Sequence, residues 1–443
     1  MAQTTTTNCT EDSTTNRRYS PLVNELPIYY GWVIMVAAIV GRIMTSPGQT
    51  YTVSIFIEHF IDDLGVSRSL ASTLYSIGTF VGALSLPFVG QQLDRHGPRV
   101  MAGVITGLFT LTCVYMGFVQ GPIMLGLGFI LLRMLGQGSL SMISTNVINR
   151  WWVQRRGTIV GIAGVLSSVL GNGLFPSLVH GLIGRLGWRF SYPLLGGLVA
   201  VVMLPVGLIF YRSQPEAYGL EPDGALESEG KARRIGQEVE ENWTRSEAVR
   251  TAAFWSAGLG LAAISMLGTG LQFHMVSIFR DSGLSEGAAA AAFLPIAVTV
   301  GVVNLASGVL VDRIPERFLL FVALLLQATS LLMAPRLQGS AMALIYGVVL
   351  GMTSGLQFVV GTVIWATYYG RRHLGSIRGL VSLVTITGSA LGPMPMGIAR
   401  DLLGSYNLAL TVAAALPLGL AMLALTIRRP RKEDHAAATT GAL

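Results

Sequence analysis

The sequence is poor in charge and in cysteine. Of its 443 residues, 12% are charged, whereas soluble globular domains carry about 25%. This deficit excludes a string of soluble domains, although the length would suit about three of them. Cys9 lies in a polar segment and Cys113 in an apolar one, so we predict neither a disulfide nor a metal site. Residues 1–27 are polar and rich in threonine, which argues against a secretory signal peptide.

Long apolar segments take the place of charged surface. Apolar residues make up 51% of the chain, and its mean hydropathy is +0.58. A hydrocarbon core about 30 Å thick needs about 20 apolar residues for each helical span. We therefore predict an all-α membrane protein embedded in the lipid bilayer, with twelve transmembrane helices. These are predicted near 29–57, 68–92, 99–119, 122–149, 157–184, 190–211, 251–279, 287–311, 317–335, 340–368, 376–400 and 404–427.

The second half of the chain repeats motifs of the first. Two pairs of segments share an offset of 218 residues and a third pair has an offset of 223: 63–67 with 281–285, 90–95 with 308–313, and 53–56 with 276–279. Duplicated halves of this kind are typical of secondary transporters, which hold substrate near the bilayer midplane at the repeat interface. The repeat therefore indicates a function as well as a fold.

Basic residues predict the orientation. If the amino terminus is cytoplasmic, 22 of the 30 Lys and Arg residues lie on cytoplasmic segments, six lie outside and two lie within spans. This asymmetry follows the positive-inside rule. We predict a multi-pass protein of the plasma (inner) membrane with both termini in the cytoplasm. The net charge of +7 then needs no nucleic-acid partner, because topology and anionic lipid account for it.

The predicted organisation has five parts. Residues 1–27 are a disordered cytoplasmic tail, 28–211 an amino-terminal six-helix bundle, 212–250 a charged cytoplasmic linker, 251–427 a carboxy-terminal six-helix bundle and 428–443 a cytoplasmic tail. The linker lacks apolar periodicity and contains turn signals at Gln214-Pro215 and at 221–224.

The loops between the spans resemble those of a known family. Residues 90–99 (GQQLDRHGPR) are similar to the signature between spans two and three of the major facilitator superfamily, and residues 308–317 are a degenerate copy of it. Residues 149–157 and 368–379 look like the matching loops after spans four and ten. The resemblance extends over residues 28–427 and implies the major facilitator fold of two six-helix pseudo-repeats.

A narrower resemblance points to one branch of the superfamily. Residues 30–32 (YGW) and the 215–224 stretch look like the monocarboxylate and oxalate/formate porters. Residues 287–311 lack the basic residue that those porters carry in span eight, and Arg378 and Arg400 lie at the ends of span eleven, where the oxalate/formate pattern has an internal lysine. The resemblance therefore implies a small organic anion without naming it.

The family resemblance also implies a gate at the cytoplasmic ends of the spans. Glycines at 90 and 97 permit a close helix approach and a tight turn there. In the alternative interpretation, the loop charges only orient the loops. The candidate gating residues are Asp94, Arg95, Arg99, Arg156, Asp312, Arg313 and Arg378.

Two arginines lie near the predicted midplane. Arg42 is about 12 residues into the first span and Arg133 about 11 residues into the fourth. An arginine there costs at least about 2.5–3.5 kcal/mol and therefore faces a water-filled cavity or a partner. No Asp or Glu lies near a midplane, so we expect an anionic ligand to pair with these guanidinium groups. Arg133 also resembles the superfamily's fourth-span arginine, which implies a structural or coupling role as the alternative.

Polar side chains on the same helix faces extend the predicted substrate site. Gln49 shares a face with Arg42, Gln137 shares one with Arg133, and Tyr346 and Gln357 lie together in span ten. The resemblance implies that spans one, four, seven and ten line a central cavity. Polar side chains can equally join helices, with about 0.6 kcal/mol each.

Two titratable residues are candidates for proton coupling. His274, near the outer end of span seven, is a candidate because histidine as a residue type titrates near neutrality, and it is also a predicted substrate contact. Glu58 lies at the predicted outer mouth. A lone histidine is more often a packing residue, and an exchanger or uniporter would need no proton.

These observations predict a secondary active transporter that moves a small organic anion by alternating access, as a proton symporter or an anion exchanger. The sequence contains no HExxH, nucleophile elbow or P-loop, so we predict that it is not an enzyme, needs no cofactor and uses gradients instead of ATP. The alternatives are an efflux transporter of a larger amphiphilic solute and a non-transporting membrane sensor. The expected partners are the small anionic solute and, in a symporter, a proton; a monomer is expected.

Overall fold

The computed structural model describes residues 19–152, 155–224, 242–370, 374–430 and 432. Within these ranges the chain forms helices and contains no strand. Eleven of its helices are long and apolar enough to cross a membrane, and the longest, Arg68–Met116, contains 49 residues. At 1.5 Å per residue that helix is about 73 Å long, more than twice the hydrocarbon thickness.

The long helix bends at Gly97 and therefore forms two spans. Gly97 has φ 79° and ψ 164°, which no helix adopts, and a residue with a side chain rarely adopts such a φ. The bend lies in the loop signature that the sequence repeats. The described residues therefore contain twelve spans.

The spans are named α1 to α12. Their bounds are α1 Gly31–Leu64, α2 68–96, α3 98–116, α4 Pro122–Trp151, α5 Thr158–Leu186, α6 Trp188–Phe210, α7 Ala252–Phe273, α8 Glu286–Arg313, α9 Glu316–Met333, α10 Gly339–Tyr369, α11 Ile377–Leu403 and α12 Asn407–Leu425. A short helix, Met275–Asp281, continues α7 beyond His274. The predicted fold of twelve transmembrane helices in two six-helix pseudo-repeats is confirmed.

The two halves, α1–α6 and α7–α12, contact each other through α2 with α11 and through α5 with α8. A Cβ atom at Gly397 would lie 2.4 Å from the Ser72 hydroxyl, and one at Gly173 would lie 3.1 Å from Ala297. We name the end of the bundle that carries residue 19, the linker and residue 430 the terminal face, and the opposite end the distal face.

The predicted tails and linker fall partly outside the described residues, namely at 1–18, 225–241, 431 and 433–443. Residues 21–24 form one helical turn, in which Val23 is buried and Asn24 donates to the carbonyl of Tyr218. The five-part division of the chain stays a prediction.

Close packing of α7 on α11 predicts the effect of a small substitution. A Cβ atom at Gly388 of α11 would lie 2.7 Å from the Ala262 carbonyl oxygen, whereas one at Gly419 of α12 would meet nothing within 4 Å. We expect Gly388→Ala to destabilise the protein by about 1–3 kcal/mol through overpacking. We expect Gly419→Ala, the control, to be neutral or slightly stabilising, because alanine favours a helix over glycine. Thermal unfolding in detergent measures both; equal shifts in the two variants would contradict the packing argument.

Candidate functional site

The first span is interrupted halfway along its length. The helix Gly31–Ile43 gives way to a 3-10 turn at Ser46–Gly48, and an α-helix resumes at Thr50–Leu64. Pro47 has no amide hydrogen to donate. A Cβ atom at Gly48 would lie 2.5 Å from the carbonyl oxygen of Leu132. The interruption therefore brings the backbones of α1 and α4 together at a point where only glycine fits.

Two neighbouring spans are irregular near their own midpoints. Residues Arg133–Leu140 of α4 and Ser168–Leu174 of α5 are π-helical. Such segments are rare and frequently occur at functional sites. Irregular backbone at membrane depth is tolerated where it is packed in protein or lines a cavity. The α5 segment lines a cavity between α1, α4 and α5 through Ser168 and Asn172, and the α4 segment is largely packed in protein.

This amino-terminal cavity has a volume of about 200 Å³. Arg42 is the one charged residue among its described lining residues, and no carboxylate joins it there. The Arg42 side chain is partly exposed, and its guanidinium has no hydrogen-bond or ion-pair partner among the described residues. The lining is otherwise mostly polar: Thr45, Gln49, Tyr51, Ser141, Gly164, Ser167, Ser168 and Asn172.

Hydrogen bonds within α1 hold this lining in place. Gln49 Nε2 donates to Thr45 Oγ1 at 2.9 Å, and Thr45 Oγ1 donates to the Arg42 carbonyl at 2.6 Å. Across the interruption, the hydroxyls of Ser46 and Tyr51 are 2.9 Å apart. Gln49, Thr45 and Tyr51 are thus engaged within α1, whereas the Arg42 guanidinium donors and the buried Asn172 Oδ1 have no described partner.

Arg133, the second midplane arginine, lies outside the cavity and is 3% exposed. Its Nη1 atom is 3.4 Å from the Gly48 carbonyl oxygen and 3.3 Å from Thr50 Oγ1, and its guanidinium lies 4.9 Å from the centre of the Tyr75 ring. Its Nε and Nη2 atoms are buried without a partner. Arg133 therefore joins α4 to the interruption of α1, and its contact with substrate stays a prediction.

A second cavity, of about 460 Å³, lies between α7, α10 and α11. These three spans correspond to α1, α4 and α5 in the pseudo-repeat, so the two cavities occupy equivalent positions in the two halves. Gln357 lines this carboxy-terminal cavity, and its Nε2 donates to the Leu261 carbonyl at 3.1 Å. No charged residue is among its described lining residues, which are Leu261, Ser354, Gln357, Phe358, Gly361, Thr362, Val381, Ser382, Thr385 and Ile386.

The structure thus places the predicted substrate contacts in different environments. Arg42 and Gln49 share one cavity, and Gln357 lines the other. Gln137 and Tyr346 line neither, and each has a buried polar oxygen without a partner: Oε1 and the hydroxyl, respectively. Their substrate contacts stay predictions, as does that of His274.

Glu58 and two arginines form a cluster at the distal face, which we name the distal latch. The Glu58 carboxylate is 5% exposed and accepts from both Nη atoms of Arg68, at 2.6 and 2.7 Å. It also accepts from Arg280 Nη1 of the second half, at 3.2 Å. The Glu58–Arg68 pair lies within the first half and is buried, whereas Arg280 reaches Glu58 from the second half and is 47% exposed. The latch therefore joins the halves on this side of the bundle.

His274 lies beside the latch and is fully buried. Its Nδ1 atom is 3.0 Å from the Tyr406 hydroxyl, and its Nε2 atom is 2.9 Å from the Pro393 carbonyl oxygen and 3.5 Å from the Ser72 hydroxyl of the first half. Nearby, the Ser69 amide donates to Asp401 at 2.7 Å. The Ser72–His274, Ser69–Asp401 and Glu58–Arg280 contacts thus join opposite halves at this distal face.

The predicted gating residues whose side chains are described make no hydrogen bond or ion pair to the other half. Asp94 accepts from Arg150 of its own half at 2.7 Å and is 77% exposed. Arg95, Arg99, Arg313 and Arg378 are exposed. The side chains of Arg156 and Asp312 lie outside the described residues. The gating role stays a prediction, and this conformation is closed at the distal face.

Sequence reasoning missed Arg68, Arg280 and the lining residues of α5. One signal for the latch was present: the repeated VSIF motif is followed by Ile57 and Glu58 in the first half and by Arg280 and Asp281 in the second. The repeat therefore puts opposite charges on equivalent helical turns. Nothing in the sequence of α5 marks Ser168–Leu174 as π-helical.

The chain was compared with known proteins. The family model described as Major Facilitator Superfamily matches residues 32–333 and 296–442. Monocarboxylate transporter 13 of Rattus norvegicus is 24% identical over 394 residues, which are 87% of this chain and 86% of that protein. The oxalate:formate antiporter of Oxalobacter formigenes is 22% identical over 259 residues, 58% of this chain and 57% of that protein.

Solved structures agree on the fold. A bacterial homologue of the human lysosomal transporter Spinster, in an inward-facing and unoccupied conformation, superposes with a TM-score of 0.61 at 18% sequence identity. The superposition covers 90% of this chain and 95% of that one. Repeated loops, twelve spans in two halves and a family match across nearly the whole length converge on one conclusion: the chain belongs to the major facilitator superfamily.

Proposed function

We propose that the protein is a secondary active transporter of a small organic anion, and that Arg42 binds the anion's carboxylate. The observation that carries this proposal is the single guanidinium, without a described partner, in a polar cavity between α1, α4 and α5. Two parallel hydrogen bonds from an arginine match a carboxylate in geometry and charge. The relatives named for monocarboxylate transport and oxalate:formate antiport act on anions of this class.

The pair of cavities supports a substrate with one carboxylate and an uncharged remainder. The amino-terminal cavity offers one cation, and the carboxy-terminal cavity offers hydroxyl, amide and apolar groups. Ligand binding favours closure of the terminal face only if the ligand binds the closed state better than the open one. A substrate that bridges Arg42 and the Gln357 wall would meet this condition.

The orientation is part of the proposal. Since basic residues predominate at the terminal face, we place that face and both chain ends in the cytoplasm of the plasma (inner) membrane. The conformation closed at the distal face is then inward-open, and the distal latch must break before the outward-open state forms. The charges of the 90–99 and 308–317 loops would close the terminal face in that state.

An efflux transporter of a larger amphiphile is the second candidate. One observation favours it: Leu261, Phe358, Val381 and Ile386 give the larger cavity an apolar wall. A carboxylate requirement separates the two candidates, because an amphiphile held by that wall would not depend on Arg42.

Replacement of Arg42 tests the proposed anion site. We expect Arg42→Gln to reduce uptake of radiolabelled lactate, pyruvate or formate into proteoliposomes by more than tenfold, because charge-assisted hydrogen bonds contribute about 1.5–3 kcal/mol each. Arg42→Lys should retain part of the uptake, since it keeps the charge but loses the bidentate geometry. Ser141→Ala, in the same cavity wall, is the matched control and should retain most of it. Unchanged uptake by Arg42→Gln would contradict the site.

Replacement of Arg280 tests the latch as the joint between the halves. Arg280→Gln removes the ion pair across the interface but keeps Glu58 with Arg68. Because Arg280 is 47% exposed, we expect its replacement to reduce the free energy that favours the distally closed conformation by at most about 1 kcal/mol. The population open at the distal face would then rise by up to about fivefold. A cysteine at Ser72, which is fully buried under Gly397, should react correspondingly faster with an impermeant maleimide from the distal side. Arg185→Gln is the control, and equal rates in both variants would refute the latch.

We further propose that Glu58 carries the proton if transport is proton symport. In the outward-open state Arg280 would withdraw, which removes one of the two cations that favour the charged carboxylate. We expect Glu58→Gln to abolish uptake driven by an acid gradient while anion exchange between preloaded liposomes and medium continues. Glu286→Gln, whose carboxylate is 3.8 Å from Arg280, is the control. If Glu58→Gln abolishes both exchange and uphill uptake, Glu58 is needed to close the distal face and the proposal that it carries the proton is not supported.

A further inference from the structure

A third cavity lies at the terminal face, remote from the two that flank the transport path. It has a volume of about 360 Å³ and is bounded by the start of α7 and the end of α12. Arg250, Arg428 and Arg429 line it, together with Trp243, Ala252 and Ala253. We name it the corner cavity. It takes no part in the alternating-access mechanism proposed above.

The described lining of the corner cavity is positively charged. No acidic residue is among its described lining residues. The nearest described ion pair joins Glu247 to Lys432 at 3.7 Å, so that carboxylate is already engaged. Neither Arg250 nor Arg428 has a side-chain hydrogen bond or ion pair among the described residues. Two guanidinium groups thus border one concave space with their donors unused.

Backbone donors add to this positive surface. Helix α7 begins at Ala252, and its cap, Thr251 Oγ1, accepts from the Phe254 amide at 3.3 Å. The amides of Ala252 and Ala253 precede that bond and have no partner within the helix, because the first four amides of any helix lack one. Arginine side chains next to the free amides of a long helix form the donor set that binds phosphate.

The first half places an acidic group of the chain near the start of α1. There the described residues at the start of the linker place Asp223, 8% exposed, between Tyr29 and the start of α5. Its Oδ1 accepts from the Arg155 amide at 3.1 Å, and Gly224 packs on the Tyr29 ring. An acidic group of the chain itself therefore lies beside the start of α1, whereas no described acidic residue lines the corner cavity at the start of α7.

The position of the corner cavity favours a lipid as the source of the phosphate. Trp255 and Leu259 lie one turn apart on α7 and are 44% and 45% exposed, and Met422 on α12 is 64% exposed. Trp255 Nε1 donates to the Val249 carbonyl at 2.8 Å, as tryptophan does at a membrane interface with its ring toward the lipid. An acyl chain could lie along this apolar surface with its headgroup in the cavity.

From these observations we propose that the corner cavity binds the phosphate of an anionic phospholipid headgroup, through Arg250, Arg428 and the first amides of α7. Basic pockets between transmembrane helices on the cytoplasmic side are known to take such headgroups. The general excess of arginine on this face accounts for topology, but it does not account for a concave site with paired guanidinium and amide donors.

The test uses the purified full-length protein and a matched pair of double variants. Arg250→Gln with Arg428→Gln removes two charges from the cavity, and Arg185→Gln with Arg245→Gln removes two charges elsewhere. The probes are phosphatidylglycerol, phosphatidylcholine with the same acyl chains, and inorganic phosphate. Thermal unfolding as a function of probe concentration gives an apparent affinity, and native mass spectrometry counts the retained lipid.

We expect phosphatidylglycerol to stabilise the native protein saturably and phosphatidylcholine to do so much less. The cavity variant should need on the order of thirtyfold more phosphatidylglycerol, at about 1 kcal/mol for each arginine, while the control variant matches the native protein. Equal dependence on phosphatidylglycerol in the two variants would overturn the site. Equal stabilisation by inorganic phosphate would overturn the lipid as its source, and a lipid effect that appears only after removal of residues 433–443 would assign the cavity to the chain's own tail.

Discussion

One constraint organises the structure: a guanidinium group lies inside the bundle without a carboxylate to pair with it. Insertion of an arginine near the bilayer midplane costs about 2.5–3.5 kcal/mol, and Arg42 has no described partner that would offset this cost. The cavity around it supplies polar neighbours, and no carboxylate is among its described lining residues. A site that holds an unpaired cation in a low-dielectric environment attracts anions more strongly than the same group would in water.

Helix irregularity creates the space for this charge. The turn at Ser46–Gly48 and the π-helical segments of α4 and α5 each displace backbone near the middle of a span. Arg133 braces the first of these, through contacts with Gly48 and Thr50. The two midplane arginines therefore differ in environment. Arg42 is exposed to the cavity, whereas Arg133 contacts the interrupted part of α1 that borders it. At the distal face the halves meet through the latch, so the same conformation that exposes Arg42 is closed on the far side.

The fold was predictable because its signals are long and redundant. Twelve apolar segments, repeated loops and an asymmetry of arginine each predict the same arrangement, and the bend at Gly97 falls inside the repeated signature. The site was predictable only in part. Arg42 and Arg133 lie at similar depths along their helices, so the sequence predicts the same environment for both. Only the packing of the folded chain shows that Arg42 faces a cavity and Arg133 lies near a carbonyl oxygen. The latch depends on contacts between segments more than 200 residues apart, which periodicity does not reveal.

The central claim is that the amino-terminal cavity recognises negative charge. The most direct test titrates the purified wild-type protein with matched pairs of acids and amides, such as lactate and lactamide. Binding to the native state raises the thermal midpoint, with about 2.7 kcal/mol of stabilisation at a hundredfold excess over the dissociation constant. The account predicts saturable stabilisation by a carboxylate and none by its amide. Stabilisation by the amide to the same extent, or by organic cations and no anion, would contradict it.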